Sequence, residues 1–336
     1  MSTLLDTRAR PLHDLRISVT DRCNFRCTYC MPKEIFGKAH AFMPPEQLLS
    51  FDEIERLTGA FVALGVRKVR LTGGEPLMRK GLDELIARLA AIPGVEDVAL
   101  TSNGSFPVER VAALKAAGLS RMTVSLDALD DTTFKAMNDV DFPVARVLEW
   151  IEASAAAGLA PIKVNMVVKR GVNEHAILPM AHYFRQRGHI LRLIEYMDVG
   201  HSNGWRLDDV LTAKQMVALI QRELPLKPLQ PNYRGEVATR YRYADGQGEL
   251  GLIASVSQPF CGDCSRARIS ADGRLFTCLF AVGGADLRSL LRRGADAAAL
   301  QEAIAAVWRQ REDRYSELRS ANTVALPKVE MSYIGG

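Results

Sequence analysis

Short apolar runs alternating with stretches of helical periodicity predict an α/β fold built on a parallel sheet. Two observations carry this. Six β-branched, apolar runs recur as far as Tyr196, and the segments between them have helical spacing, several ending at glycine as helix stops should. Strands alternating with helices imply right-handed crossovers and a parallel sheet.

Taken in order, Leu15–Thr20 is the first strand, and it runs directly into Cys23, Cys27 and Cys30. Helix Phe51–Leu64 leads to strand Lys68–Thr72, which ends in Thr72-Gly73-Gly74-Glu75-Pro76. Helix Gly81–Ala91, strand Asp97–Thr101, helix Val108–Ala117 and strand Arg121–Leu126 repeat the unit. Helix Val144–Ala157 precedes strand Ile162–Val168, whose apolar run is interrupted by Asn165 and otherwise fits a sheet covered by helices. Helix Ala176–Arg187 and strand Ile190–Tyr196 complete the sixth unit. Six units are too few for an eight-unit barrel, and the pattern alone leaves a partial, open barrel and a doubly wound sheet both open.

The rhythm changes after about Val210, which divides the chain into residues 1–210 and 211–336. Helix Thr212–Glu223 is followed by Pro225, Pro228 and Pro231, read as an extended linker. Thr239–Tyr243 and Glu249–Ser255 are short strands around the turn-rich Ala244–Gly248. Asp272-Gly273 between Ala267–Ser270 and Arg274–Leu279 signals a hairpin. Helices Asp286–Arg293 and Ala297–Arg311 follow, and the chain ends in Gly335-Gly336, a pair that ordinarily frays.

Composition narrows the function classes. Hydrophobic content of 48% supports a full core, and a net charge of +4 is too mild to announce nucleic acid. The polar N-terminus resembles no signal peptide and no run of eighteen apolar residues occurs, so a cytosolic, non-membrane protein with reduced thiols is expected.

The six cysteines fall into two trios, Cys23, Cys27, Cys30 and Cys261, Cys264, Cys278. Three thiolates can hold three irons of a cubane cluster and leave the fourth iron open to a ligand. Zinc and disulfides are the alternatives, but zinc normally takes four ligands and His13 and His40 are poorly placed to complete the first trio. That trio lies in a loop at a strand's C-terminal end, where α/β folds place active sites. Tyr29 sits between its last two cysteines, placed either to shield a cluster or to pack on a bound ring.

Cys23-Asn24-Phe25-Arg26-Cys27-Thr28-Tyr29-Cys30 resembles the hallmark of the radical S-adenosylmethionine enzymes. In that family the open iron chelates the cofactor's methionine end, and electron transfer releases a 5′-deoxyadenosyl radical able to take hydrogen from an unactivated C–H bond. The Gly73-Gly74-Glu75-Pro76 segment resembles the family's glycine-rich contact to the cofactor amino group. By the same resemblance Tyr29, Gly74, Ser125 and Met197 contact S-adenosylmethionine; by itself, Met197 reads as packing.

In the second trio, Arg266 and Arg268 lie two apart on one strand face beside Cys264, an arrangement suited to holding an anion near an open iron. A solvated basic edge is the plainer reading of the same pair. Arg16, Lys68, Arg70, Lys163 and Arg192 fall within four other strands, and a buried strand cation is rarely unpartnered, so together they argue for a polyanionic substrate.

Leu15–Pro32, Val69–Pro76, Leu100–Gly104, Val124–Leu129, Lys163–Lys169, Pro259–Ala281 and the terminal Gly-Gly resemble the branch of the family that opens molybdenum-cofactor biosynthesis. The resemblance implies a six-unit partial barrel closed by the C-terminal extension, two [4Fe-4S] clusters facing one cavity, and GTP as substrate. Guanine would bind the second cluster, while Arg16, Lys68, Arg70, Thr101, Lys163, Arg192, Arg266, Ala267 and Arg268 grip the nucleotide. The adenosyl radical removes the C3′ hydrogen, and the C3′ radical attacks C8. Arg266, Arg268, Gly335 and Gly336 would serve that step, the tail entering the cavity. An external electron donor and a downstream cyclic pyranopterin monophosphate synthase are the implied partners, and a homodimer is compatible with the resemblance. Gln258, Ser265 and Tyr333 depart from the family pattern. The rival readings are a radical enzyme that modifies a peptide, whose second cysteine set is usually longer, and a metal-containing nucleic-acid module, against which stand scattered cations and 7% aromatics.

Overall fold

Strand β1 (Asp14–Ser18) opens a computed structural model that describes residues 3–336. It is followed by α1 (Phe51–Ala63), β2 (Lys68–Thr72), α2 (Leu82–Ala90), β3 (Asp97–Ser102) and α3 (Arg110–Ala116). Then come β4 (Arg121–Ser125), α4 (Asp131–Asn138), α5 (Val144–Ala156), β5 (Lys163–Val168), α6 (Ile177–Gln186) and β6 (Ile190–Glu195). All the expected strands and helices are present, and α4 is an addition.

The C-terminal part continues with α7 (Ala213–Gln221), β7 (Leu226–Leu229), β8 (Thr239–Tyr243), β9 (Glu249–Ile253), β10 (Arg266–Ile269), β11 (Arg274–Phe276) and β12 (Ala285–Asp286). Helices α8 (Arg288–Arg292), α9 (Ala297–Arg309), α10 (Ala321–Val324) and α11 (Met331–Ile334) complete it. The proline-marked linker is corrected: Leu226–Leu229 pairs antiparallel with β8 as the outermost strand, where Pro228 needs no ladder donor.

One twelve-stranded sheet runs β12-β11-β10-β1-β2-β3-β4-β5-β6-β9-β8-β7. Strands β1 to β6 are parallel neighbours, β10 joins β1 in parallel and β9 joins β6 in parallel. The six-unit arc is thus extended to eight parallel strands by two from the C-terminal part, β9 joining its neighbour at close range (Leu191 beside Leu250) and β10 joining across most of the chain (Asp14 beside Arg266).

Alternation decides what faces where. Leu15 and Ile17, Val69 and Leu71, Val164 and Met166, Leu191 and Leu193 point outwards and are buried under the helices. Their neighbours Arg16, Arg70, Asn165 and Arg192 point inwards and line a cavity. These inward strand positions are therefore polar and basic while the helical layer carries the hydrophobic core.

The barrel is not closed by a ladder, since β7 and β12 are the two edges of the sheet. A strap, residues 311–336, spans the gap between β9 and β10. Arg311 donates to the carbonyls of Cys264 (2.6 Å) and Thr277 (3.1 Å) on one side. Ser316 Oγ meets Ser255 Oγ at 3.1 Å and Arg319 donates to the Ser255 carbonyl at 2.8 Å on the other.

Glu195 pins the end of β6 to the following segments. Its carboxylate is fully buried and accepts from the backbone of Ala213 (2.7 Å), Val256 (2.8 Å) and Ser257 (2.9 Å), and from the Ser257 hydroxyl. Glu195→Ala would leave these donors without partners and is expected to cost about 3 kcal/mol, read as a lowered midpoint in chemical denaturation.

Candidate active site

A cavity of 330 Å³ inside the barrel is lined by inward residues of the parallel strands and by all six cysteines. The trios stand at opposite mouths. Cys23, Cys27 and Cys30 follow the C-terminal end of β1. Cys264 precedes β10, whose Arg266 is level with Asp14 at the start of β1, and Cys278 follows β11, which runs back antiparallel from β10. The second trio therefore sits at the N-terminal mouth.

The first trio is held by α4, whose C-terminal carbonyls on Asn138 and Met137 accept from the amides of Arg26 (2.9 Å) and Thr28 (3.0 Å). Phe25 packs against Phe134 and Phe142. From the second strand, the Gly74 amide donates to Thr20 and the Glu75 amide to Arg22, both at 2.8 Å. A Cβ on Gly73 or Gly74 would strike the backbone of Thr20, Asp21 or Arg22, so these glycines allow one loop to press on the other. Glu75 is buried, accepting from the amides of Asn103 (2.8 Å) and Leu77 (3.1 Å) and from Ser102 Oγ (2.9 Å). Burial pushes its carboxyl up to about 7 despite these bonds. Tyr29 donates to Asp127 at 2.8 Å, and Tyr29, Gly74, Ser125 and Met197 all line this end of the cavity.

Burial also pushes the Cys23 thiol up to about 12, aided by the Glu75 charge, and raises Cys27 and Cys30 as well. Such thiols ionise only against a cation, as cluster irons would supply. Cys264 behaves oppositely. Its burial is outweighed by the guanidinium groups of Arg266 and Arg311, which pull it down to about 6. Arg266 approaches the Cys264 sulfur through Nη2 (3.2 Å) and Nε (3.4 Å).

Arg268 is buried and donates to the carbonyl of Gly335, while Gly336 lines the cavity. The terminal glycines are thus seated rather than frayed. Tyr333, one of the departures from the family pattern, anchors them by donating to Asp272 at 2.6 Å. Ser265 donates to Asp14 at 2.8 Å, whereas the Gln258 side chain is exposed.

The strand cations meet as expected. Among the described residues, Arg16, Arg70, Lys163, Arg192 and Arg268 line the cavity without an ion pair to any carboxylate. Arg70 donates to Thr101 and Thr123, each at 3.1 Å. Lys68 rests its ammonium 3.5 Å from the centre of the Tyr233 ring. Burial, reinforced by neighbouring cations, draws Arg70, Arg192 and Arg268 down to about 10 and Lys163 to about 6. Ala267 differs from the arginines beside it: its side chain is fully buried in the core cluster, on the face of β10 opposite the cavity, which leaves only its backbone for a nucleotide.

Sequence reasoning missed Arg121, Thr123, Asn165 and Tyr233, all of which line the cavity. Arg121 pairs with Asp97. Strand alternation, followed back from Ser125 and onward from Lys163, would have reached Thr123, Arg121 and Asn165 on the same faces. Tyr233 comes from the β7–β8 loop, which no strand periodicity reaches.

None of the six thiols is in a disulfide. Among the described residues, no group of three or more thiol, imidazole and carboxylate side chains converges on a single-ion position. A cluster instead spreads its thiolates around several irons, and both trios open onto the cavity that would hold one.

The family model for the radical SAM superfamily matches residues 17–184, and that for molybdenum cofactor synthesis C matches residues 189–317. A GTP 3′,8-cyclase of Acidothermus cellulolyticus is 52% identical, and one of Staphylococcus aureus 47%, each alignment covering 98% of both chains. Among solved structures, Streptococcus suis SuiB bound to S-adenosylmethionine superposes with a TM-score of 0.62 at 15% identity, over 93% of this chain and 68% of SuiB. SuiB bound to its precursor peptide SuiA gives 0.63 at 14%, over 93% and 67%. At that identity the likeness is one of fold.

Proposed function

The chain belongs to the radical S-adenosylmethionine superfamily and, within it, to the GTP 3′,8-cyclases, and on that premise we propose how its cavity converts GTP to (8S)-3′,8-cyclo-7,8-dihydroguanosine 5′-triphosphate, the first step of molybdenum-cofactor biosynthesis. The observation that carries this reading is the meeting of two cysteine trios and a set of unpaired cations in one cavity. Cys23, Cys27 and Cys30 hold a [4Fe-4S] cluster, with Tyr29, Gly74, Ser125 and Met197 around S-adenosylmethionine. When bound, that pair supplies the 5′-deoxyadenosyl radical which takes the C3′ hydrogen.

Every other task falls to the chain. Cys261, Cys264 and Cys278 would hold a second cluster, whose three-thiolate ligation would leave an iron open to the guanine. Arg16, Lys68, Arg70, Lys163 and Arg192 bind the triphosphate and ribose, with Thr101 fixing Arg70. A buried cation without a partner is costly, so an anion entering this cavity relieves repulsion already present. Arg266, Arg268 and the Gly335–Gly336 tail hold the ribose and guanine in register. The strap and the helical layer exclude water from the radical. Residues 1–210 thus serve the cofactor and residues 211–336 the second cluster and the tail. The chain works in the cytosol, takes electrons from an external donor and passes its product to cyclic pyranopterin monophosphate synthase. No helix among the described residues is long and apolar enough to cross a membrane.

The peptide-modifying alternative rests on fold likeness at 14–15% identity, and a basic cavity suits a polyphosphate better than a peptide. Anaerobic incubation of the reconstituted protein, carrying about eight irons per chain, with S-adenosylmethionine, dithionite and GTP decides the matter. Cyclic nucleotide should accumulate alongside 5′-deoxyadenosine. Cofactor cleavage with GTP unchanged would point to another substrate.

Lys163 gives this reading a pH signature. Burial, then Arg192, Arg121 and Arg70, draw its ammonium from 10.5 to about 6. In the empty cavity it is largely neutral at pH 7, and a triphosphate restores its charge by taking up a proton. Affinity for GTP is therefore expected to fall as pH rises above about 6, by up to about tenfold per unit. The empty protein runs the other way: the unfolded chain binds more protons between about 6 and 10.5, so stability rises with pH across that window. Calorimetry in buffers of different ionisation enthalpy reads the proton uptake, and Lys163→Met should remove it.

A further inference from the structure

We propose that Asp198 is a positioning residue that couples occupation of the cofactor pocket to seating of the C-terminal tail; the inference rests on the assignment of Tyr29 and Met197 to the cofactor. The residue stands directly after Met197, in the loop that leaves β6, and is only 2% exposed.

On one side this loop grips the cofactor end of the cavity. Asn203 Nδ2 donates to the Met197 carbonyl at 3.1 Å and to the Tyr29 carbonyl at 3.4 Å, so one amide joins the cysteine loop to Met197. Tyr196 in turn fixes Asn203 by donating to its carbonyl at 2.7 Å.

On the other side the same loop grips the strap. Asp198 Oδ1 accepts from Arg319 Nε at 3.0 Å, and Oδ2 accepts from Lys328 Nζ at 3.3 Å and from the Tyr315 hydroxyl. Lys328 is 1% exposed, so its ammonium is committed to this site. Just beyond it, Glu330 accepts from the His201 amide at 3.2 Å and from Ser202 Oγ at 2.8 Å. Gly200 has φ +71°, and a Cβ there would overlap the Glu330 carboxylate, which explains the glycine. The Glu330 carbonyl accepts from the Tyr333 amide at 3.1 Å and so starts α11, the single turn that delivers Gly335 to Arg268.

Hydrogen bonds therefore run from Tyr29 and Met197 through Asn203 and the loop to the strap and the tail, neutral and part-buried at Asn203 and charge-assisted at Asp198 and Glu330. A ligand that fixes Met197 fixes the platform on which Arg319, Lys328 and Glu330 rest. Coupling of this kind is reciprocal, so a seated tail tightens the cofactor as much as the cofactor tightens the tail. Asp198 acts through its neighbours and touches neither ligand.

Hydrogen exchange by mass spectrometry on the full-length, cluster-reconstituted protein tests this without turnover. In the wild type, S-adenosylmethionine should slow exchange of residues 331–336 by about tenfold. In Asp198→Asn that ratio should shrink to about one while the cofactor still binds in equilibrium dialysis. Glu330→Gln leaves the Asp198 ion pairs in place and should reduce the ratio partway, which keeps the test decisive where Asp198→Asn does not fold. In turnover, both variants should make more 5′-deoxyadenosine per cyclic product. A merely structural Asp198 would loosen the tail equally with and without cofactor, and an unchanged ratio in the variants overturns the coupling. A wild-type tail indifferent to bound cofactor also overturns it. Failure of the wild type to bind S-adenosylmethionine overturns the assignment of Tyr29 and Met197, and the coupling with it.

Discussion

Cys27→Ala is expected to abolish reductive cleavage of S-adenosylmethionine, lowering 5′-deoxyadenosine formation by about a thousandfold or more, or ~4 kcal/mol of barrier. The loop that carries Cys27 is held by backbone: its carbonyl accepts from Cys30 (2.9 Å) and Met31 (2.8 Å), and the Arg26 and Thr28 amides bond to α4. Alanine keeps those bonds and removes only the sulfur, so the loss should be chemical and not a loss of fold. Iron should drop by about half as one of two clusters goes, with circular dichroism unchanged. Cys264→Ala is the informative contrast. It removes the sulfur that Arg266 touches at the other mouth, so cofactor cleavage should persist without cyclic nucleotide. Wild-type cleavage by Cys27→Ala would mean that the first trio is not the cofactor's seat.

Much of this site was legible because strands obey a period of two. Arg16, Arg70, Lys163 and Arg192 could be placed inside the barrel from sequence, and the cavity gathers them. What escaped was set by partners distant in the chain. Helix α4 is short, reads Asp-Thr-Thr-Phe-Lys-Ala-Met-Asn and offers a weak apolar stripe, yet its last carbonyls hold the cysteine loop. Leu226–Leu229 looked like linker because of its proline, and it becomes a strand only through pairing with β8. Ala267 was carried along by the arginines on either side of it, although alternation alone sends its side chain to the core. Closure by the C-terminal extension came from the family resemblance and not from any local pattern, since the bonds that close the gap join residues far apart in sequence.

Removal of Gly335 and Gly336 is expected to lower cyclic nucleotide formation by about a hundredfold, or ~3 kcal/mol, with both clusters and the thermal midpoint preserved. The part of the tail that contributes stability lies before the cut: Ile334 is fully buried and Tyr333 bonds to Asp272 at 2.6 Å. Beyond it, the Gly335 carbonyl is the acceptor for Arg268, a guanidinium buried beside Arg16 and Arg266 and disfavoured by both burial and the second arginine. Deleting the acceptor frees Arg268 to turn towards whichever anion is in reach, and the ribose loses its register. Gly335→Ala should be nearly as damaging, because the residue has φ +75° and a Cβ would collide with Thr72 at the end of β2. Quantifying product and 5′-deoxyadenosine together separates the alternatives: cofactor cleavage without product is the expected result. Normal product from the truncated chain would mean that Arg268 needs no partner from the tail, and that the two glycines are dispensable.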